Sequence, residues 1–141
     1  MKNWKLLYIF TCPLGKYTGV VAVKIGITGH PEVRLGVYQN SYSSDSHKAC
    51  FDVVYIGPTR AIEKLELAIK QEFNWDIQRD GRGESEWVKG YSPTTMETSV
   101  DALIKGYCFK INKVPKKFLP LNIDNMKELL EHYNLNSNEH K

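Results

Sequence analysis

Apolar and polar positions along the chain change period several times, and each change marks an element. Trp4–Thr11 is a run of aromatic and aliphatic side chains and predicts a first strand. Cys12–Gly19 holds Pro13, Gly15 and Gly19 and predicts a loop. Val20–Thr28 is strongly β-branched and predicts a second strand, so the two segments should form an antiparallel hairpin. After Thr28-Gly29-His30, Pro31 stands where a first helical residue belongs, and a short helix to Gln39 is expected. Asn40–Lys48, with four serines, reads as a polar loop. Ala49–Gly57 alternates as a third strand and closes at Gly57-Pro58.

The sharpest period follows. Ile62, Leu65, Ile69 and Phe73 recur at i, i+3, i+7 and i+11, one stripe of a 3.6-residue helix. Thr59 is its expected cap, and its end is expected near Trp75 or Asp76. Asp80–Glu84 is a charged, Gly-rich loop, Glu86-Trp87-Val88 a short extended piece, and Pro93–Lys105 a helix. Asp124–Tyr133 predicts a terminal helix with Met126, Leu129, Leu130 and Tyr133 as its apolar stripe, and Asn134–Lys141 should fray. The resulting class is α+β: a small three-stranded antiparallel sheet flanked by helices. Residues 1–106 should form the main domain. Residues 107–141 should supply a basic connector and an amphipathic helix, packed on that domain or extending it.

Composition narrows the class further. At 141 residues the chain suits one domain, large enough to fold without a metal or disulfide staple. With 42% hydrophobic and 25% charged residues, disordered and low-complexity classes are excluded. The longest apolar runs, Leu6–Phe10 and Gly19–Val23, fall far short of the roughly 20 residues of a membrane span, so no membrane partner is expected. Leu6–Phe10 is also shorter than the ~7–15 residues of a signal-peptide core. Cys12, Cys50 and Cys108 are odd in number and lack metal-site spacing, which reads as reduced core thiols in a cytoplasmic chain. The net charge of +3 is mild, but Ala102–Asn122 holds Lys105, Lys110, Lys113, Lys116 and Lys117 and no acid.

No phosphate-binding glycine loop, metal-ligating cysteine pair or serine elbow appears. A dispersed set remains: Tyr8 in strand one, Lys24 in strand two, Arg34 in the first helix and Glu66 in the second. Each has an ordinary role available. Strand tyrosines pack, edge-strand lysines face water, and Glu66 lies four residues before Lys70, the spacing of a helical ion pair. The helical wheel favours more for Glu66. It falls about 55° from the centre of the Ile62–Phe73 stripe, at the flank of the buried face. Arg34 has a similar place beside Leu35 and Tyr38, so that both helices could present charge to one small sheet.

Leu7-Tyr8-Ile9, then Val23-Lys24-Ile25-Gly26-Ile27-Thr28, then Pro31-x-x-Arg34-Leu35, resembles the core of the GIY-YIG nucleases. It is most similar to their bacteriophage-type branch, where lysine replaces the tyrosine of the second motif. Leu65-Glu66-x-x-Ile69-x-x-x-Phe73 and the later Glu86-Trp87 fit the same branch. A literal Tyr55-Ile56-Gly57 lies 47 residues after Tyr8, too far for an adjacent hairpin strand, and reads as strand three.

The resemblance implies a metal-dependent DNA endonuclease. Glu66 would bind Mg²⁺ or Mn²⁺, Arg34 would hold the phosphate, and Tyr8 or Lys24 would take the proton. Lys105, Lys110, Lys113, Lys116 and Lys117, interleaved with Tyr107, Phe109 and Phe118, would extend the DNA contact. The partner is then DNA, with RNA as a possibility, and the oligomeric state stays open. A non-catalytic nucleic-acid- or protein-binding module on the same fold is the alternative.

Overall fold

The computed structural model describes residues 3–11, 22–42, 50–73, 77–79, 86–89 and 92–135. The expected Cys12–Gly19 and Asp80–Glu84 loops and most of the Asn40–Lys48 loop lie outside them. Strands β1 (Trp4–Thr11), β2 (Ala22–Thr28) and β3 (Val53–Pro58) form one antiparallel sheet with β1 in the middle. This is the expected α+β core. The sheet is wider than the three strands read from sequence. Three short strands, β4 (Ile77–Arg79), β5 (Glu86–Lys89) and β6 (Asn112–Lys113), extend it to the order β4-β5-β2-β1-β3-β6. Strand β5 is the extended piece expected at Glu86-Trp87-Val88, whereas β4 and β6, of three and two residues, carry too little periodicity to be read as strands.

Strand β1 is buried on both faces, with Leu6, Leu7, Tyr8, Ile9 and Phe10 all at 2% exposure or less. Alternate side chains of a strand point to opposite faces, so this one run feeds two cores. Leu7 and Ile9 meet Ile62, Leu65 and Ile69 of helix α2 (Thr59–Glu72) and Met96 and Val100 of helix α3 (Pro93–Tyr107). Trp4, Leu6, Tyr8 and Phe10 meet Leu35 of helix α1 (Pro31–Tyr42) and Met126, Leu129 and Leu130 of helix α4 (Ile123–His132).

Helix boundaries follow local chemistry. Helix α1 begins at Pro31 as expected and runs three residues past Gln39. Ser92 caps α3 by accepting the Thr95 N–H (3.2 Å), with Pro93 at the first helical position. Helix α4 opens on a reciprocal box in which the Asn125 N–H donates to Asn122 Oδ1 (3.1 Å) and the Asn122 N–H to Asn125 Oδ1 (2.8 Å). Its end does not fray at Asn134: that residue takes the left-handed conformation (φ 57°), and the Leu135 N–H closes on the Leu130 carbonyl (2.7 Å).

Three sequence readings are corrected. Thr59 gives α2 no side-chain cap, because β3 runs straight into the helix and Pro58 occupies the capping position. Helix α2 ends at Glu72, short of Trp75, where the Phe73 N–H bonds to the Ile69 carbonyl (3.0 Å). Cys108 is an exposed thiol at the end of α3 rather than a core one, while Cys50 is half-buried, and its burial, helped by nearby Asp52, pushes the thiol up to about 11.

The segment after residue 107 is an integral part of this core. Strand β6 pairs with β3, and Val114, Phe118 and Leu121 join α4 against the Tyr8 face. Leu129→Ala is therefore expected to lower stability by about 2–5 kcal/mol in urea denaturation. A loss near zero would make the tail a separate appendage.

Candidate functional site

The hairpin register assembles the first part of the site. Tyr8 lies opposite Gly26, and Phe10 opposite Lys24. Directly paired residues share a sheet face, so Tyr8 and Lys24 stand on the same one. The Tyr8 ring is 2% exposed and stacks on Phe51 at 4.2 Å with an interplanar angle of 12°. Its phenol end crosses β2 over Gly26, where a Cβ would collide with the hydroxyl and ring. Lys24 is 8% exposed, an unusual burial for an amine in a strand.

Arg34 arrives through the turn after β2. The His30 N–H donates to Thr28 Oγ1 (2.9 Å), and the His30 carbonyl accepts the Arg34 N–H (3.1 Å). This starts α1 so that Leu35 enters the Tyr8 core and its neighbour Arg34 stays exposed. Exposed His30 contributes backbone groups to the turn.

Glu66 is half-buried, at the flank of the α2 stripe as the helical wheel implied. Its helix, however, covers the other face of the sheet, with Leu7 and Ile9. The single cluster expected from sequence is therefore split. Tyr8, Lys24 and the Arg34 helix lie on one side, and the Glu66 helix on the other. The two sides adjoin along the outer stretch of β2. Strand β5 pairs only with Ala22–Lys24, so Ile25–Thr28 continues past it as an edge among the described residues. Ile25 and Ile27 pack towards the α2 side, while the phenol of Tyr8 crosses Gly26 from the other. Among the described residues no three His, Cys, Asp or Glu side chains gather as a ligand set. A lone carboxylate suits Mg²⁺, which keeps most of its water when bound.

The basic run belongs to the opposite edge, beyond β3. Lys113 is held there by Glu97 (2.9 Å) and Asp101 (2.8 Å), and these hydrogen bonds push its pKa up. Asp101 also accepts the Tyr55 hydroxyl (2.7 Å). Burial, reinforced by that bond, drives the Tyr55 pKa far above the ordinary phenol range. Tyr55-Ile56-Gly57 is thus a structural part of β3, as its spacing implied. Lys105, Lys110, Lys116 and Lys117 are exposed. Phe118 is only 4% exposed and is withdrawn from any base-stacking role, because it fills the core under α4.

Two contributors escaped the sequence reading. Phe51 was placed in a strand with no role, and Gly26 was a motif letter without a reason. The signal for both was the register, which depends on pairings that local patterns do not encode.

The sequence profile points to a nucleic-acid-related, nuclease-like domain. The T5orf172 domain matches residues 5–108, and the chain belongs to that family, which occurs in phage and nuclease-like proteins. None of the curated proteins and none of the solved structures compared with the chain matches it. Strand β6 and helix α4 lie beyond the matched residues. No described helix is long and apolar enough to cross a membrane.

Gly26→Ala is expected to cost about 1–3 kcal/mol through overpacking against Tyr8. The same change in a Tyr8→Leu background should cost much less, since the two residues share one space. Equal losses in both backgrounds, measured by urea denaturation, would contradict the contact.

Proposed function

We propose that this domain is a metal-dependent DNA endonuclease of the GIY-YIG type, with Tyr8, Lys24, Arg34 and Glu66 as its working residues. The observation that carries the reading is the Tyr8–Gly26–Lys24 arrangement. A phenol crosses a strand over a glycine, on the face where a lysine is buried two residues away. A packing tyrosine needs neither the glycine nor the amine.

In this reading the scissile phosphate lies at the Ile25–Thr28 edge of β2. Water attacks phosphorus, a new P–O bond forms, and the bond to the leaving sugar oxygen breaks. An ordinary phenol loses its proton near pH 10, and a cation beside it favours the phenolate. Lys24 supplies that cation, and Tyr8 accepts the proton from water. An uncharged Lys24 amine is the other acceptor within the same face. Arg34, exposed at the start of α1, gives the phosphate oxygens a planar donor fork. Glu66 would hold Mg²⁺ or Mn²⁺ from the α2 side of the edge. When bound, such a cation neutralises charge developing on the phosphate and the leaving oxygen. DNA is the substrate proposed, with RNA as the other polymer offering the same bond.

A second reading has its own support. Tyr8 is almost wholly buried and Glu66 sits on the helix of the other face, which suits a binding module that keeps the fold without cleavage.

The test is cleavage of supercoiled plasmid by purified protein with Mg²⁺, Mn²⁺ or chelator. Glu66→Gln is expected to abolish metal-dependent cutting without lowering stability, while Glu63→Gln and Glu72→Gln, exposed on the same helix, should cut like the parent. Arg34→Ala should raise the barrier by about 2.7–4 kcal/mol, as loss of an oxyanion donor does. Tyr8→Phe should be impaired. Equal behaviour of the three glutamine variants would overturn the Glu66 assignment, and a parent that binds DNA but never cuts would establish the second reading.

A further inference from the structure

Helix α3 ends in a feature that the cleavage reading does not use. Residues two apart on a helix do not face each other. Yet the rings of Tyr107 and Phe109 stack, with centroids 5.3 Å apart and planes within 10°. Cys108 between them makes this possible by adopting the left-handed conformation (φ 57°, ψ 37°). The Cys108 N–H bonds to the Lys105 carbonyl (3.2 Å) and the Phe109 N–H to the Ile104 carbonyl (3.1 Å). Helices that end this way ordinarily carry glycine at the left-handed position, and a side chain there is disfavoured.

The result is a backed aromatic surface. Phe109 is partly buried against the core beside Ile104 and Ile111, which fixes the inner ring. Tyr107 lies on it and is 59% exposed. Lys105 and Lys110 stand on either side of the pair in the sequence and are exposed. Lys113, the next cation, is already neutralised by Glu97 and Asp101. No acid occurs in the sequence between Ala102 and Asn122.

We propose that Tyr107, backed by Phe109, is a stacking platform for an unpaired base of single-stranded nucleic acid, with Lys105 and Lys110 on the flanking phosphates. Every base has a face to stack, and stacking on an aromatic ring with cations along the backbone is how single strands are held without sequence preference. A paired base inside a duplex has no free face to offer. The exposed positive charge of Lys105 and Lys110 favours a polyanion over an apolar protein partner. The platform needs no metal and does not involve Glu66, so it stands or falls independently of cleavage.

The experiment is binding of fluorescently labelled oligo(dT), oligo(rU) and a DNA duplex to the full chain in chelator, read by anisotropy over a range of salt. The parent should bind single strands more tightly than duplex, and the dT and rU arms show which polymer is preferred. Tyr107→Ala should weaken single-strand binding by about 5- to 150-fold, the value of one stacked base. Tyr107→Phe should restore it. Lys105→Gln and Lys110→Gln should each flatten the log–log salt dependence by about 0.7, while Lys113→Gln should leave the slope unchanged. Tyr107 is exposed, so these variants should melt like the parent. A parent that binds none of the three, or a Tyr107→Ala variant that binds single strands as the parent does, overturns the proposal. So does a Tyr107→Ala loss of equal size on duplex and single strand.

Discussion

The constraint on which this molecule rests is the burial of β1 on both faces. Leu6, Tyr8 and Phe10 point one way, Leu7 and Ile9 the other, and none can be left in water at tolerable cost. A sheet built around such a strand must be covered twice. Helices α2 and α3 cover the Leu7 face, and α1 and α4 the Tyr8 face. The arrangement explains why the C-terminal segment is packed into the core although it lies beyond the family's matched residues. Without Val114, Phe118, Leu121 and the α4 stripe, much of the Tyr8 side would lack a cover.

The same constraint governs the candidate site. A tyrosine in a doubly covered strand has to bring its hydroxyl to a place where polar chemistry is possible. Tyr8 does so sideways, across Gly26, towards the stretch of β2 that, among the described residues, continues past its pairing with β5. Its ring is held from the other side by Phe51, whose N–H and carbonyl both pair with Leu121 at 2.8 Å. The C-terminal segment thus reaches the tyrosine through a single intermediate side chain. The C-terminal segment and the Tyr8 motif are parts of one packing problem, since Leu121 pairs with Phe51 and Phe51 stacks on Tyr8.

At the far edge of the sheet, charge is used for docking. Tyr55, Asp101, Lys113 and Glu97 form a chain of hydrogen bonds that ties β3, α3 and β6 together. A buried phenol without a partner is costly, and Asp101 removes that cost. Lys113 then balances the carboxylates. One of five lysines in an otherwise acid-free run is thereby structural, and the other four keep the electrostatic character of the surface.

The sequence alone determined the class and the larger elements. Apolar and β-branched runs located β1, β2 and β3, and hydrophobic period located α2 and α4, because each buries a face long enough to impose its own repeat; α1 was marked by Pro31 at its start. It also ranked Glu66 correctly as a flank position and set aside Tyr55-Ile56-Gly57 by spacing. Tertiary structure decided the rest. Strands β4 and β6 exist only because a neighbour offers them hydrogen bonds, and nothing local forces two or three residues to extend. The same holds at the site. That Tyr8 faces Gly26 is a fact of register, that Glu66 approaches from the opposite face is a fact of helix placement, and that Lys113 is neutral in effect is a fact of its distance to α3. Periodicity reports which way a side chain points from its own element, but only packing reports which element it meets.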